Sequence, residues 1–310
     1  MHTQTELITV SKRKSRTWNR EARIGAAYLS PAALFLVVLL GIPIVTVIGY
    51  SLFDNVIVKA EPVFVGLGNY VKLLTDPVYH SALANTFVFA VFSVFMHIVL
   101  GFVFAVALNN NLLPRWAQGL YRGIYILPWV FTASIVVIIW QLMLNPNGII
   151  NYILSSIGLT DGQTVWLADP GLAMMTVIFI NIWAGYPFFM VSILAGLQSV
   201  PAELYEAAKV DGANAVQRFR HITVPSVGPL VMSMTLLDLL WTMHHFSIVW
   251  LATGGGPLGS TELIGTYTYK LAFSRTEFAQ SAASGFLLFA ISMVVAVFYV
   301  KHQSRRANDA

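Results

Sequence analysis

Apolar residues run along this chain in six long blocks, at about 27–53, 84–108, 121–144, 172–195, 230–251 and 281–300, with the polar residues gathered between them. A helix needs about 20 apolar residues to cross the hydrocarbon layer of a bilayer, and each block meets that length. None shows the period-two alternation of a membrane β-barrel strand. An unpaired backbone N–H or C=O is too costly in lipid, so each block is expected to be a helix. The pattern predicts an all-α integral membrane protein: a basic tail over 1–25, six transmembrane helices within 26–300, and a short tail over 301–310. The first block is read as a retained span, because no small-residue cleavage site of the usual kind follows it.

Charge orients the bundle. Lys12, Arg13, Lys14, Arg16, Arg20 and Arg23 precede the first block. Arg115 and Arg122, then Lys209, Arg218 and Arg220, and finally Lys301, Arg305 and Arg306 fall on the same side of the predicted membrane. Only Lys59, Lys72, Lys270 and Arg275 fall on the other. Basic residues collect on the cytoplasmic side, so both termini are predicted inside, as in a protein of the inner-membrane type. Trp129, Trp166 and Trp250 are placed near outer ends of spans, where amphipathic rings are favoured. Charged residues make up only 10% of the chain, against about 25% in soluble domains. The net charge of +4 is thus a membrane signature, and no nucleic-acid partner is expected. With no cysteine, thiol chemistry and Cys-based metal sites are excluded.

The connection 196–229, GLQSVPAELYEAAKVDGANAVQRFRHITVPSVGP, is the longest on the predicted cytoplasmic side. It reads as two short helices and a turn. Pro201 suits a first helical position and Glu203 the positive first turn. Gly212 permits a sharp turn. Pro225 and Pro229 are expected to prevent a regular helix until the fifth span begins. A structured, partly apolar loop of this kind is either a docking surface or a stiff connector lying on the membrane.

Its spacing resembles a family signature. Glu206-Ala207-Ala208, then Gly212, then Ile222 and Val224-Pro225 is similar to the EAA loop of binding-protein-dependent ABC importer permeases, with Val224 where Leu is more usual. The resemblance implies that this loop couples the spans to an ATPase subunit, and it assigns that role to Glu203, Tyr205, Glu206, Ala207, Ala208, Asp211, Gly212, Ala213, Phe219 and Pro225. Further stretches resemble carbohydrate-uptake permeases: Phe64 to Tyr70, Asn85-Thr86, Leu127-Pro128-Trp129, Asn145 to Gly148 with Asn151, and Thr253 to Pro257 with Tyr269 and Ala272-Phe273. They favour the larger-permease type of the maltose importer, without its extra N-terminal helices and large periplasmic insertion. Six helices do not easily enclose an alternating pathway alone, which predicts a second, similar permease subunit, a copy of this chain or, as the resemblance favours, a different one; the resemblance also implies two ATPase subunits carrying ATP and Mg, and an extracytoplasmic sugar-binding protein.

A polar residue inside a span is a functional candidate. Asp238 is the only acidic residue deep in a predicted span. At helical spacing Asp238, Trp241, Thr242 and His245 share one face, and His244 lies off it. An aromatic ring beside hydrogen-bonding groups suits a sugar, whose ring faces are apolar and whose hydroxyls need partners. The resemblance independently places these four residues on the sugar-lining face and adds Ala184, Gly185 and Phe188 from the fourth span. It departs at Ser247, where Asp is frequent, and no role is given to Ser247. The alternative for Asp238 is a structural pairing with a His or a neighbouring helix.

Two other classes fit less well. A proton-coupled carrier using Asp238 with His244 or His245 leaves the EAA loop unexplained, and no internal repeat supports it. For an enzyme there is no catalytic constellation, no GxxxxGK[ST] phosphate loop and no carboxylate and His set at metal-ligand spacing. The chain is thus expected to carry no catalytic residue, metal or cofactor of its own.

Overall fold

The computed structural model describes residues 14–109 and 114–308; Lys12 and Arg13 of the predicted basic tail, and the last two residues, lie outside them. Helices make up the fold, and the described residues contain no strand, only an isolated bridge between Phe53 and Phe64. In chain order the helices are α1 (Lys14–Leu36), α2 (Ile42–Ser51), α3 (Gly68–Thr75), α4 (Pro77–Leu108), α5 (Arg115–Val130), α6 (Ala133–Met143), α7 (Ile149–Ser156) and α8 (Ala173–Gln198). They continue with α9 (Ala202–Val210), α10 (Ala215–Arg218), α11 (Val224–Met243), α12 (Ser247–Thr253), α13 (Ile264–Phe273) and α14 (Phe278–Asn308). Five continuous rods are long and apolar enough to cross a membrane: Ala22–Ser51, Pro77–Leu108, Ala173–Gln198, Ala215–Met243 and Phe278–Lys301. The α5–α6 pair makes a sixth if its two halves are counted together.

The core is the seam between α4 and α8, the most extensive helix pairing in the molecule. Phe89 of α4 packs with Val177 and Ile180 of α8 at one level, and Ala105 and Leu108 pack with Phe189, Met190 and Ile193 at another. α4 starts seven residues before the expected span because Asp76 caps it. Its Oδ1 accepts from the Val78 N–H at 2.8 Å, and Pro77 sits in the first turn, where its missing N–H has no role. The α1–α2 rod lies outside the core; none of its most apolar stretch is buried. In a membrane component that surface faces lipid or another subunit.

The structure corrects two expected spans. The third, 121–144, is not one straight helix: α5 and α6 meet at 99°. Phe131 is extended, and Thr132 starts a new helix by accepting from the Ile135 N–H. Pro128, in the last turn of α5, already weakens the ladder there. The fifth, 230–251, starts earlier and stops earlier. The chain is helical from Ala215 to Met243, and α12 is a separate turn beyond a break at 244–246. Pro225 and Pro229 therefore do not delay the helix. Pro225 lies in the first turn of α11, and a π-turn at Phe219–Thr223 immediately precedes it. Widening the helix there relieves the clash a proline ring makes with the carbonyl four residues back. The same device precedes Pro43, where a π-turn spans Val37–Gly41.

Several of the family-like motif residues staple the end of the bundle that lies opposite the 202–223 loop. Asn69 donates to the carbonyls of Ser51 and Phe53, and Asn85 reaches those of Gly259, Ser260 and Glu262. The Thr86 hydroxyl accepts from the Ile264 N–H at 2.9 Å. A buried Glu262 is paired with Lys270. These bonds satisfy irregular backbone that would otherwise be stranded at the membrane edge.

Candidate functional site

A cavity of about 200 Å³ opens beside the α4–α8 seam. Ala184, Gly185 and Phe188 line it from α8, and Asp238, Trp241 and Thr242 line it from α11. His245 lines it as well, although α11 ends at Met243. The shared helical face thus extends only to Thr242, and the bend at 244–246 brings His245 round to the same space. Its ring stacks on Phe89, with centroids 6.2 Å apart and planes 17° apart. His244 turns away and meets Ser292 of α14 at 3.0 Å, a packing contact.

The open side of the cavity is aromatic. Trp129, Phe188 and Trp241 form a ladder with centroid spacings of 6.1 and 5.7 Å. Trp129, which the sequence placed near an outer end of a span, lies in the cavity wall, just before the α5–α6 bend. Trp129 and Trp241 are 52% and 54% exposed. Large apolar rings left bare beside a polar cavity mark a surface that something else covers.

The closed side is polar. His97 of α4 is 2% exposed and lies between α8 and α11. Its Nδ1 is 2.8 Å from Asp238 Oδ2, and its Nε2 is 3.1 Å from the Asn181 carbonyl oxygen. Asp238 is therefore both paired with a histidine and part of the cavity lining. Gly185 makes the arrangement possible. A Cβ there would stand 2.3 Å from His97 Nε2, where ordinary contact begins at 3.4 Å.

The second region is the 202–223 loop. Asp211 caps the end of α9, and Gly212 takes φ +79, the left-handed turn expected of it. Asn214 then opens α10 with a capping box to Gln217. Pro201 precedes α9 as its cap residue rather than filling its first turn. Arg218 Nη1 donates to the Ala213 carbonyl at 2.7 Å, and the Tyr205 and Thr223 hydroxyls meet at 3.1 Å, closing the hairpin. Phe219 packs edge-on against Phe102 of α4, tying the hairpin to the core seam. Glu203, Glu206, Ala207 and Asp211 are left exposed, beside Val210 and Val216 at 88% and 73%. Ala208 and Ala213 line a shallow hollow between α9 and α10, and Pro225 is exposed at the root of α11.

Residues 97–308, which hold both regions, match the binding-protein-dependent transport system inner membrane component family. The chain belongs to that family. Among similar permeases is the probable ABC transporter permease protein YurN of Bacillus subtilis, 32% identical over 91% of this chain and 97% of the relative. The trehalose/maltose transport system permease protein MalF of Thermococcus litoralis is 31% identical over 91% of this chain and 94% of its own. In fold this permease is similar to a solved bacterial ABC transporter involved in import of the acidic polysaccharide alginate. The TM-score is 0.79 at 24% identity, over 94% of this chain and 99% of that one. The chain is accordingly a multi-pass inner-membrane transport component.

Two polar residues of the permease cavity were missed in the sequence, His97 and Asn181. Each is a lone polar residue in an apolar run, FMHIV and FINIW. That signal was available, since a polar group in a span needs an explanation. What their partners are could not be read, because it depends on how three helices are rotated about their axes.

Proposed function

We propose that this permease forms half of the translocation pathway of an ABC importer for a sugar, oligosaccharide or related polyol, with both termini cytoplasmic. A second, similar permease covers the aromatic side of the cavity and completes it, as a heterodimer rather than a pair of copies of this chain. An extracytoplasmic binding protein delivers the cargo. Two ATPase subunits, holding ATP and Mg, engage Glu203, Glu206, Asp211 and the exposed apolar tip of the 202–223 loop. No covalent chemistry or nucleic-acid contact is assigned to this chain.

The observation that carries the reading is the convergence of seven residues, chosen from helix periodicity and family resemblance, on one cavity. That cavity joins a ladder of aromatic faces to hydrogen-bonding groups, the two things a sugar presents in reverse. The support for coupling is mechanical. The loop is continuous with α11 through the π-turn and touches α4 through Phe219, so force applied at Glu206 reaches the helices that line the cavity. Homology to a trehalose/maltose permease supports the cargo class.

The test is uptake by the complete importer in proteoliposomes, with a panel of sugars and polyols and with ATP inside. Trp241→Ala should weaken uptake while leaving ATPase activity in place, and Glu206→Lys should abolish uptake and its coupling to hydrolysis. Uptake that follows a proton gradient without ATP would remove the proposal in favour of a carrier.

A further inference from the structure

The protons around His97 can be counted from its partners. A backbone carbonyl only accepts, so the Nε2 that faces the Asn181 carbonyl at 3.1 Å must carry a proton. Nδ1 faces Asp238 Oδ2 at 2.8 Å, a distance that requires a proton between them. That proton belongs either to an imidazolium opposite a carboxylate or to a neutral imidazole opposite a carboxylic acid. Both forms have zero net charge. The remaining form, a neutral Nε2–H imidazole beside a bare carboxylate, sets a lone pair against a charge and leaves an uncompensated ion in a membrane.

Two more polar atoms at this cavity lack partners. Asn181 is 5% exposed, and its Nδ2 is buried with no hydrogen-bond partner; His245 Nε2 is likewise unpartnered. Both residues line the cavity. A buried amide left unsatisfied is costly and is a place where a ligand oxygen is expected. Among the described residues no Lys or Arg lines this cavity.

We propose that His97 and Asn181 set the charge selectivity of the site, so that this half of the pathway takes an uncharged, hydroxyl-rich cargo. This rests on the reading that the cavity is part of the sugar pathway. His97 is the positioning residue: it neutralises Asp238 and fixes its carboxyl, which accepts from a cargo hydroxyl. Asn181 is the specificity-determining donor to a second cargo oxygen. A carboxylated or phosphorylated cargo would meet a pair with no net charge and no lysine or arginine to balance it. Shared fold with an importer of an acidic polysaccharide does not imply shared cargo charge, because the charge balance is set by a few side chains.

Two arms test this, both on the complete importer in lipid. In the first, ring-nitrogen NMR of ¹⁵N-histidine-labelled protein, with His97→Gln identifying the signal, should show a protonated Nε2 and an Nδ1 that either carries a proton or accepts one in a hydrogen bond. A bare Nε2 overturns the neutral pair whatever the cargo. In the second, His97→Gln leaves Asp238 unbalanced and should cut uptake of neutral sugar roughly tenfold or more, the size expected for losing one partner of a buried pair. Asp238→Asn added to it makes a neutral amide pair and should return uptake to within about threefold of wild type, since matched replacement of both partners is tolerated. A double variant no better than His97→Gln, or a wild type that imports uronate derivatives better than their neutral parents, overturns the proposal while the importer reading stands. A wild type that imports no sugar or polyol at all removes both.

Discussion

Gly185→Ala is the sharpest perturbation the structure offers, because one methyl group meets one side chain. The new Cβ would lie 2.3 Å from His97 Nε2 and 2.4 Å from Cε1, against an ordinary minimum of 3.4 Å. The ring must therefore retreat by about 1 Å, which a packed interior resists. Retreat stretches the 3.1 Å bond to Asn181 beyond hydrogen-bond range and skews the 2.8 Å bond to Asp238. Overpacking costs about 1–3 kcal/mol, and weakening a charge-assisted bond costs about 1.5–3 kcal/mol. A destabilisation of about 3 kcal/mol is expected from these two effects, measured by reversible unfolding in mixed micelles. His97→Ala should itself cost about 3–5 kcal/mol by stranding Asp238. The double variant decides the matter. With the imidazole gone, the three atoms nearest the methyl added at position 185 are gone, so the pair should cost no more than His97→Ala alone, a coupling of about 3 kcal/mol. Simple additivity, or a Gly185→Ala protein within about 0.5 kcal/mol of wild type, would refute the close-approach argument.

Other consequences follow from single features. Gly212 is left-handed with open space where a Cβ would go, so substitution there is a purely conformational cost of about 1–2 kcal/mol; Gly212→Val should lower uptake per ATP hydrolysed, while Gly212→Asn, which tolerates that conformation, should lie close to wild type. Asp76 caps α4 and accepts from the Tyr267 hydroxyl at 2.6 Å. Burial pushes its carboxyl up, but the bonds from Tyr267 and Val78 outweigh this and hold it below the usual 3.8. A depressed carboxylate stabilises the fold above its unfolded-state pKa and loses that contribution as pH falls through the lower folded value. Acid unfolding curves of wild type should therefore steepen below about pH 4, and Asp76→Asn, which keeps a capping oxygen, should flatten that part. Asp76→Ala should cost about 1–2 kcal/mol at neutral pH by removing the cap, read as a drop in melting temperature.

Much of the architecture is a local property and could be read from the chain. Lipid forbids unsatisfied backbone, so apolar length alone implies helix at each of the six blocks. Glycine at 212 implied the turn because that position needs φ +79. The shared face of Asp238, Trp241 and Thr242 followed from 3.6-residue periodicity, since all three lie within one unbroken helix. The readings that failed were those in which local rules were overridden. Prolines at 225 and 229 are helix breakers in isolation, yet a π-turn absorbs the first and the second lies inside an unbroken α11. The apolar run 121–144 looks continuous because hydropathy does not register the direction of the chain, and so the 99° bend just beyond Trp129 was invisible. The centre of the site belongs wholly to tertiary structure. His97 and Asp238 are 141 positions apart, and whether they meet depends on the rotation of α4, α8 and α11 about their axes. That rotation is fixed by side-chain packing along the α4–α8 seam and by the absence of a Cβ at Gly185, neither of which leaves a periodic mark on the sequence.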